Sequence, residues 1–169
     1  MGISRIYDLA KHLVCLSIKR IVLKSLFFLL LSFSSLSAQA SDDPTVNVFY
    51  PHSYAEILKN HNGEEFNMVF WSVICSPCLK ELQLISQKKL YLNSKFVFIA
   101  VDGDDLMADV KKYIHKVGLN NQEHWVFKHT LIDENVNVVD SSWFGVVPRN
   151  YFFDYEHNRV RIRGFDAKL

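Results

Sequence analysis

Two cysteines stand two residues apart directly after a strongly apolar run, and this pair constrains the chain more than any other feature. The run Phe66–Trp71 has the character of a buried strand, and Leu79–Ile85 has helical spacing. Cys75 and Cys78 therefore fall where a strand passes into a helix. Unpaired N–H groups and the positive end of the helix dipole favour a thiolate there. Because the thiolate is the form that attacks disulfides, the pattern predicts a redox dithiol.

The two residues between the cysteines bear on the direction of the reaction. Ser76 and Pro77 carry no charge or imidazole that would stabilise a thiolate on Cys75. Strongly oxidising dithiols depend on such stabilisation of the reduced form, so this dipeptide favours a reductant. We expect Cys75 to attack a partner disulfide and Cys78 to resolve the mixed disulfide.

A second motif lies far downstream, where Val147-Pro148 precedes the aromatic strand Tyr151–Phe153. With it, the chain resembles the thioredoxin superfamily, and more closely its secreted TlpA-like branch. The resemblance covers nearly all of the chain after residue 45. Three features carry it: Phe70-Trp71, the segment Cys75-Ser76-Pro77-Cys78-Leu79-Lys80-Glu81-Leu82, and Val147-Pro148 before the aromatic strand.

The resemblance implies a role for each motif. In the family the downstream proline is cis and its loop faces the dithiol. The bond before Pro148 is therefore expected to be cis, with the loop beside Cys75. The substrate groove would be lined by Trp71, Ser76, Pro77, Val147 and Pro148.

The chain departs from the family at two positions: Ile74 replaces a common Trp, and Arg149 replaces a Thr. Arg149 either attracts an acidic partner or lies solvated at a strand end.

Glu81 is the third candidate catalytic residue. It lies three residues after Cys78 on the same helical face, within reach to shuttle a proton as the mixed disulfide resolves. TlpA-like proteins often carry an acid here. Val69 occupies the place where relatives have a buried acid or an Asn, which leaves Glu81 as the nearby candidate. An ordinary surface charge is the equal alternative.

The N-terminal residues 1–40 have the pattern of a secretory signal. Basic residues precede the apolar run Leu26–Leu36, and Ala38-Gln39-Ala40 matches a cleavage site. The run is shorter than the roughly 20 apolar residues of a spanning helix, so we expect cleavage, with an uncleaved anchor as the alternative. Cys15 is read as a leader cysteine without a role. Residues 41–169 would then form one thioredoxin-like domain in the periplasm.

Composition and residue spacing limit which partners and cofactors can be expected. After residue 40 the acidic residues outnumber the basic ones and no basic stripe occurs, which argues against nucleic acid as a partner. A disulfide closing so small a loop would stabilise the fold little. Zinc would need two more ligands at a fixed spacing, and the histidines are scattered. We expect a monomer with no metal and no dissociable cofactor, and histidines at the surface or at helix caps.

The pattern of elements predicts an α/β fold with a mixed central sheet flanked by helices. The chain ends near the point where thioredoxin-like proteins usually begin a last helix, so that helix is expected to be missing or truncated and one face of the sheet partly uncovered. The signal is weaker between Trp125 and Asp140, where we expect a short strand at Trp125–Phe127 and a short helix or irregular stretch beyond it. The predicted elements are an edge strand at Thr45–Tyr50, a helix from Ser53 to about His61, a strand at Glu65–Ser72, a helix from Cys75 to about Lys89, a strand at Lys95–Val101, a helix at Asp104–Val117, and a hairpin of Asn150–Asp154 with Arg159–Arg163.

These features predict an exported thiol:disulfide oxidoreductase that reduces disulfides in exported partner proteins. By resemblance, a membrane thiol-reducing donor would supply its electrons, and cytochrome c maturation would be a setting for it. A disulfide oxidase or isomerase is the alternative within the same chemistry. A copper-binding protein and a non-catalytic binding module are alternatives from other classes.

Overall fold

A computed structural model describes residues 43–165, so the predicted signal peptide and its cleavage site lie outside the described residues. In that range the strands are β1 Asn47–Phe49, β2 Phe66–Trp71, β3 Lys95–Ala100, β4 Glu123–Phe127, β5 Arg149–Phe153 and β6 Arg159–Ile162. The α-helices are α1 Pro51–Asn60, α2 Ser76–Gln87, α3 Met107–Val117 and α4 Ile132–Val139. Short 3-10 helices occupy Leu90–Leu92, Asp104–Leu106 and His129–Leu131.

The strands form one mixed sheet in the order β1-β4-β3-β2-β5-β6. β1, β4, β3 and β2 run parallel to one another, whereas β5 is antiparallel to both β2 and β6. The predicted mixed sheet with flanking helices is therefore confirmed. β2 is buried along its whole length because it lies inside the sheet with helices over both faces, which explains why five of its six residues are apolar.

Two hydrophobic clusters cover the two faces of this sheet, and β2 contributes to both by alternation. Met68 and Phe70 pack in one cluster with residues of α1 and α4. Val69 and Trp71 pack in the other with residues of α2 and α3. The helix that carries the cysteine pair therefore lies on the same side of the sheet as Trp71.

The start of α1 differs from the prediction. The helix begins at Pro51, with Tyr50 as its N-cap, instead of at Ser53. The hydroxyl of Ser53 accepts a hydrogen bond from the Tyr50 N–H at 3.1 Å. The Ser53 side chain thus acts from inside the first turn, and Pro51 occupies the position where a missing N–H costs nothing.

The face predicted to be partly uncovered is covered in part by the end of the described chain. Phe165 is buried and packs against Phe96, with 5.2 Å between the ring centroids. It belongs to the same cluster as Trp71.

Among residues 43–165, none of the helices combines the length and the apolarity needed to cross a membrane.

His124 on β4 is buried in the core, so its expected surface or capping position is wrong. Only 1% of the residue is exposed, and its ring stacks on Phe98. Its Nε2 lies 2.8 Å from the Leu119 carbonyl oxygen, to which an Nε2–H donates. Burial lowers the pKa of His124 from 6.5 to about 4, because a charged imidazole would lose its hydration there.

We predict that His124 makes the fold acid-sensitive. The unfolded chain takes up a proton on this residue near pH 6.5, whereas the native state resists it down to about pH 4. At about 1.4 kcal/mol per pH unit, its contribution of about 3 kcal/mol is present above pH 6.5 and is lost as the pH falls towards 4. Urea unfolding between pH 7 and pH 4.5 would measure this loss.

The variant His124→Gln keeps an N–H donor but does not titrate, so its stability should fall much less over the same range. The pKa of His61 is shifted in the opposite direction to that of His124, because a hydrogen bond with Glu123 raises it. The stability that His61 contributes is present below pH 6.5 and is lost as the pH rises through its raised pKa. His52→Gln, at an exposed position, is the control. An equal acid-induced loss in His124→Gln and the wild type would contradict the prediction.

Candidate active site

The two cysteines lie at the N-terminus of α2 and are joined by a disulfide, with 5.2 Å between their Cα atoms. Cys75 is the N-cap residue, and its Sγ accepts a hydrogen bond from the backbone N–H of Cys78 at 3.2 Å. Cys75 is half-buried, whereas Cys78 is fully buried. A partner can therefore approach the first sulfur and not the second, in agreement with the roles expected of them.

The loop before β5 lies directly beside this sulfur. The Val147–Pro148 peptide bond is cis, as the resemblance implied. The carbonyl oxygen of Val147 is 3.8 Å from Cys75 Sγ. Pro148, Ser76 and Pro77 are exposed, and Val147 is half-buried. The two motifs therefore meet in space and form one open surface around the reactive sulfur.

Trp71 does not line this surface. It is 1% exposed, and its ring packs against Tyr113 with 5.7 Å between the centroids. Its position on β2 directs it into the cluster beneath α2 and α3. The prediction that Trp71 is a groove residue is corrected accordingly: the indole supports the site from below and does not contact solvent.

Asp102 shapes the loop that leads to Cys75. The Ser72 hydroxyl donates to Asp102 Oδ1 at 2.7 Å, and the Val73 N–H donates to both carboxylate oxygens, at 3.2 and 3.1 Å. The Ile74 N–H in turn donates to the Ser72 hydroxyl at 3.2 Å. Burial raises the pKa of Asp102 despite these hydrogen bonds. The loop conformation therefore depends on one half-buried carboxyl group.

Sequence reasoning missed Asp102, although a signal for it existed. It follows Val101, whose N–H bonds to the Trp71 carbonyl oxygen at 2.9 Å, so β2 and β3 end side by side. Carboxyl ends of neighbouring parallel strands meet at one edge of a sheet, where functional side chains collect. A polar residue directly after β3 was therefore a candidate neighbour of the loop after β2.

Glu81 reaches inward from α2 towards β5. Its Oε1 accepts a hydrogen bond from Asn150 Nδ2 at 2.9 Å. Asn150 is buried and pairs in register with Val69, at the place where relatives carry a buried polar residue on β2. Val69 offers no polar group at this place, and the neighbouring strand supplies one instead. Glu81 is half-buried on the dithiol helix and is not an ordinary solvated charge.

Arg149 takes neither of its two expected positions. Its side chain is 11% exposed and donates to Asp140 Oδ2 at 2.7 Å and to the Tyr151 hydroxyl at 2.7 Å. The Tyr151 hydroxyl donates to the same Asp140 oxygen at 2.6 Å. Hydrogen bonds from Ser142 and Tyr151 hold the pKa of Asp140 well below its usual range. Arg149 is therefore part of an anchor behind the Pro148 loop.

Trp143 is the second anchor of that loop. Its Nε1–H donates to the Val146 carbonyl oxygen at 2.9 Å, and its ring packs on Phe70 with 4.8 Å between the centroids. The Trp143 N–H donates to the Asp140 carbonyl oxygen at 2.9 Å. The loop is thereby held from inside, while the residues around it face solvent.

No group of three or more His, Cys, Asp or Glu side chains among residues 43–165 is arranged to hold a metal ion.

Comparison with known proteins agrees with this geometry. No family model matches the chain. The thiol-disulfide oxidoreductases ResA of Bacillus thuringiensis and Bacillus anthracis are each 26% identical to it over 98 residues. The match takes in 57% of this chain and 53% of each relative, so it spans about half the length of these curated relatives.

The thioredoxin domain of a thiol-disulfide oxidoreductase from Bacteroides vulgatus is similar in structure, with a TM-score of 0.50 and 20% sequence identity. The alignment covers 64% of this chain and 76% of that one, and it shows the shared fold. The relatives and the sheet topology agree with the resemblance drawn from the two motifs. We conclude that this chain has the thioredoxin-like fold and is similar in sequence to thiol-disulfide oxidoreductases.

Proposed function

We propose that this chain is an exported, TlpA-like thiol:disulfide oxidoreductase that reduces disulfides in partner proteins. The observation that carries the proposal is the position of Cys75 Sγ. It lies at the N-terminus of α2, 3.8 Å from the Val147 carbonyl oxygen, and is bonded to the buried Cys78. The leader-like pattern of residues 1–40 supports export.

The reaction follows from this arrangement. In the reduced protein, the Cys75 thiolate attacks one sulfur of the partner disulfide, the partner S–S bond breaks, and the other partner sulfur leaves as a thiolate. Cys78 then attacks Cys75 Sγ, which releases the second partner thiol and forms the Cys75–Cys78 disulfide. Two electrons pass from the dithiol to the partner. A membrane thiol-reducing donor would return the protein to the dithiol state by the same exchange.

The same helix offers a proton acceptor for the second step. Cys78 must lose a proton before it attacks, and it is fully buried. Glu81 lies one turn further along α2 and is oriented by Asn150. We assign to Glu81 the role of taking this proton.

We predict that Cys78→Ser accumulates a mixed disulfide with a disulfide-containing substrate such as insulin, because the resolving sulfur is absent. Cys75→Ser should form none, and wild-type protein supplied with dithiothreitol should turn insulin over. Non-reducing electrophoresis and intact-mass measurement would identify the adduct and its cysteine. Insulin turnover by Cys75→Ser at the wild-type rate would contradict the proposal.

We predict that Glu81→Gln slows resolution of the mixed disulfide by about a hundredfold, the lower end of the range for loss of a general base. The amide oxygen of Gln can still accept the hydrogen bond from Asn150, so the change removes the proton acceptor and little else. Rapid-quench analysis of the mixed disulfide would measure the step across pH 6–9. Glu56→Gln, on the exposed face of α1, is the matched control. Resolution at the wild-type rate in Glu81→Gln, with an unchanged pH profile, would contradict the role.

A further inference from the structure

Three large apolar side chains are strongly exposed on the two loops that meet beside the reactive sulfur. Ile74 is 87% exposed, Val146 72% and Phe144 92%. Ile74 directly precedes Cys75, and Val146 directly precedes Val147, whose carbonyl oxygen is 3.8 Å from Cys75 Sγ. We call these three residues the apolar rim. Clustered apolar exposure of this kind is typical of an interaction site.

The rim side chains are presented by loops that are held from inside. The Ile74 N–H bonds to the Ser72 hydroxyl, which Asp102 orients in turn. The Val146 carbonyl oxygen accepts from the buried Trp143 indole. Neither loop relies on the rim side chains for its conformation. Apolar groups held outward by ordered loops lose little entropy when a partner covers them.

A cavity extends the rim away from the cysteines towards α4. Its volume is about 350 Å³, and its walls are formed by the loop residues 143–145 and by Ile132, Asp133, Val136 and Asn137 of α4. Phe144 belongs to both the rim and the cavity wall. A partner segment that crosses the rim from Cys75 therefore reaches a recess able to take a large side chain.

The two loops beside the sulfur carry no charged residues that could recognise a partner. Residues 71–78 and residues 141–148 contain no Lys, Arg, Asp or Glu. The carboxyl group of Asp102 accepts hydrogen bonds from the loop itself, and Arg149 is engaged by Asp140. An acidic or basic segment would find no opposite charge on these two loops.

We infer that the protein selects partner disulfides whose cysteine is flanked by large apolar residues in an extended segment. These residues would pack on the apolar rim, and one of them would enter the cavity beside α4. The inference rests on the proposed function, since bond formation at Cys75 determines where the flanking residues lie.

The test compares two disulfide-linked peptides of equal length and no net charge, one with Leu and Phe around its cysteine and one with Ser and Gln. Second-order rate constants for oxidation of the reduced protein would be measured by stopped flow, with glutathione disulfide as the small reference. We expect the apolar peptide to react about tenfold faster than the polar one, with little change between low and high salt. Phe144→Ser should reduce this ratio by about fivefold or more.

Tyr155→Ser is the matched control, because Tyr155 is an aromatic residue 63% exposed in the turn between β5 and β6. It should leave the ratio unchanged. Ile74→Ser provides a second variant on the other side of the sulfur and should also reduce the ratio. If both peptides react equally fast and neither variant alters the ratio, apolar selection is wrong and the proposed function stands. If the dithiol reacts with neither peptide nor glutathione disulfide, the proposed function fails and the inference fails with it.

Discussion

The antiparallel pairing of β2 with β5 is the constraint on which the site depends. Phe70 is in register with Arg149, so the end of β2 lies beside the start of β5. The loop that leads to Cys75 and the loop that contains Pro148 therefore meet, although they are far apart along the chain. A shift of the register by one residue would turn every side chain of β5 to the other face. Val147 would then no longer lie beside the sulfur.

The order of strands and helices was predictable because each element carries its own periodicity. β2 and β3 are mostly apolar, as expected of strands inside a parallel sheet. Gly118, at a φ of 72°, ends α3 in the left-handed conformation that favours glycine. The start of α1 was missed because Pro51 and Ser53 are both helix-start residues, and only the backbone decides which position each takes.

The site was predictable at the cysteines and at Pro148, and less so elsewhere. Trp71 is next to the motif in sequence, but strand alternation directs it into the core and not into the groove. Arg149 forms an ion pair with Asp140, and Asn150 bonds to Glu81 across the space between β5 and α2. Contacts of this kind join residues whose proximity exists only after the sheet has formed. No local sequence pattern indicates such contacts.

The polar and apolar parts of the site have separate tasks in this account. Asp102 holds the loop before Cys75, and the anchor of Asp140 and Arg149 holds the loop before β5. Both carboxylates engage the protein itself, and the two loops beside the sulfur, residues 71–78 and 141–148, contain no charged residue. The chemistry is then determined by the sulfur at the N-terminus of α2, and recognition by the apolar rim.

The proposed function requires that this dithiol donate electrons to partner disulfides. The most direct measurement is the reduction potential of the Cys75–Cys78 couple, obtained by equilibrating the protein with glutathione buffers and trapping free thiols. The account predicts a value near or below that of thioredoxin, about −270 mV. A value near −120 mV would contradict it and indicate an oxidant of partner thiols.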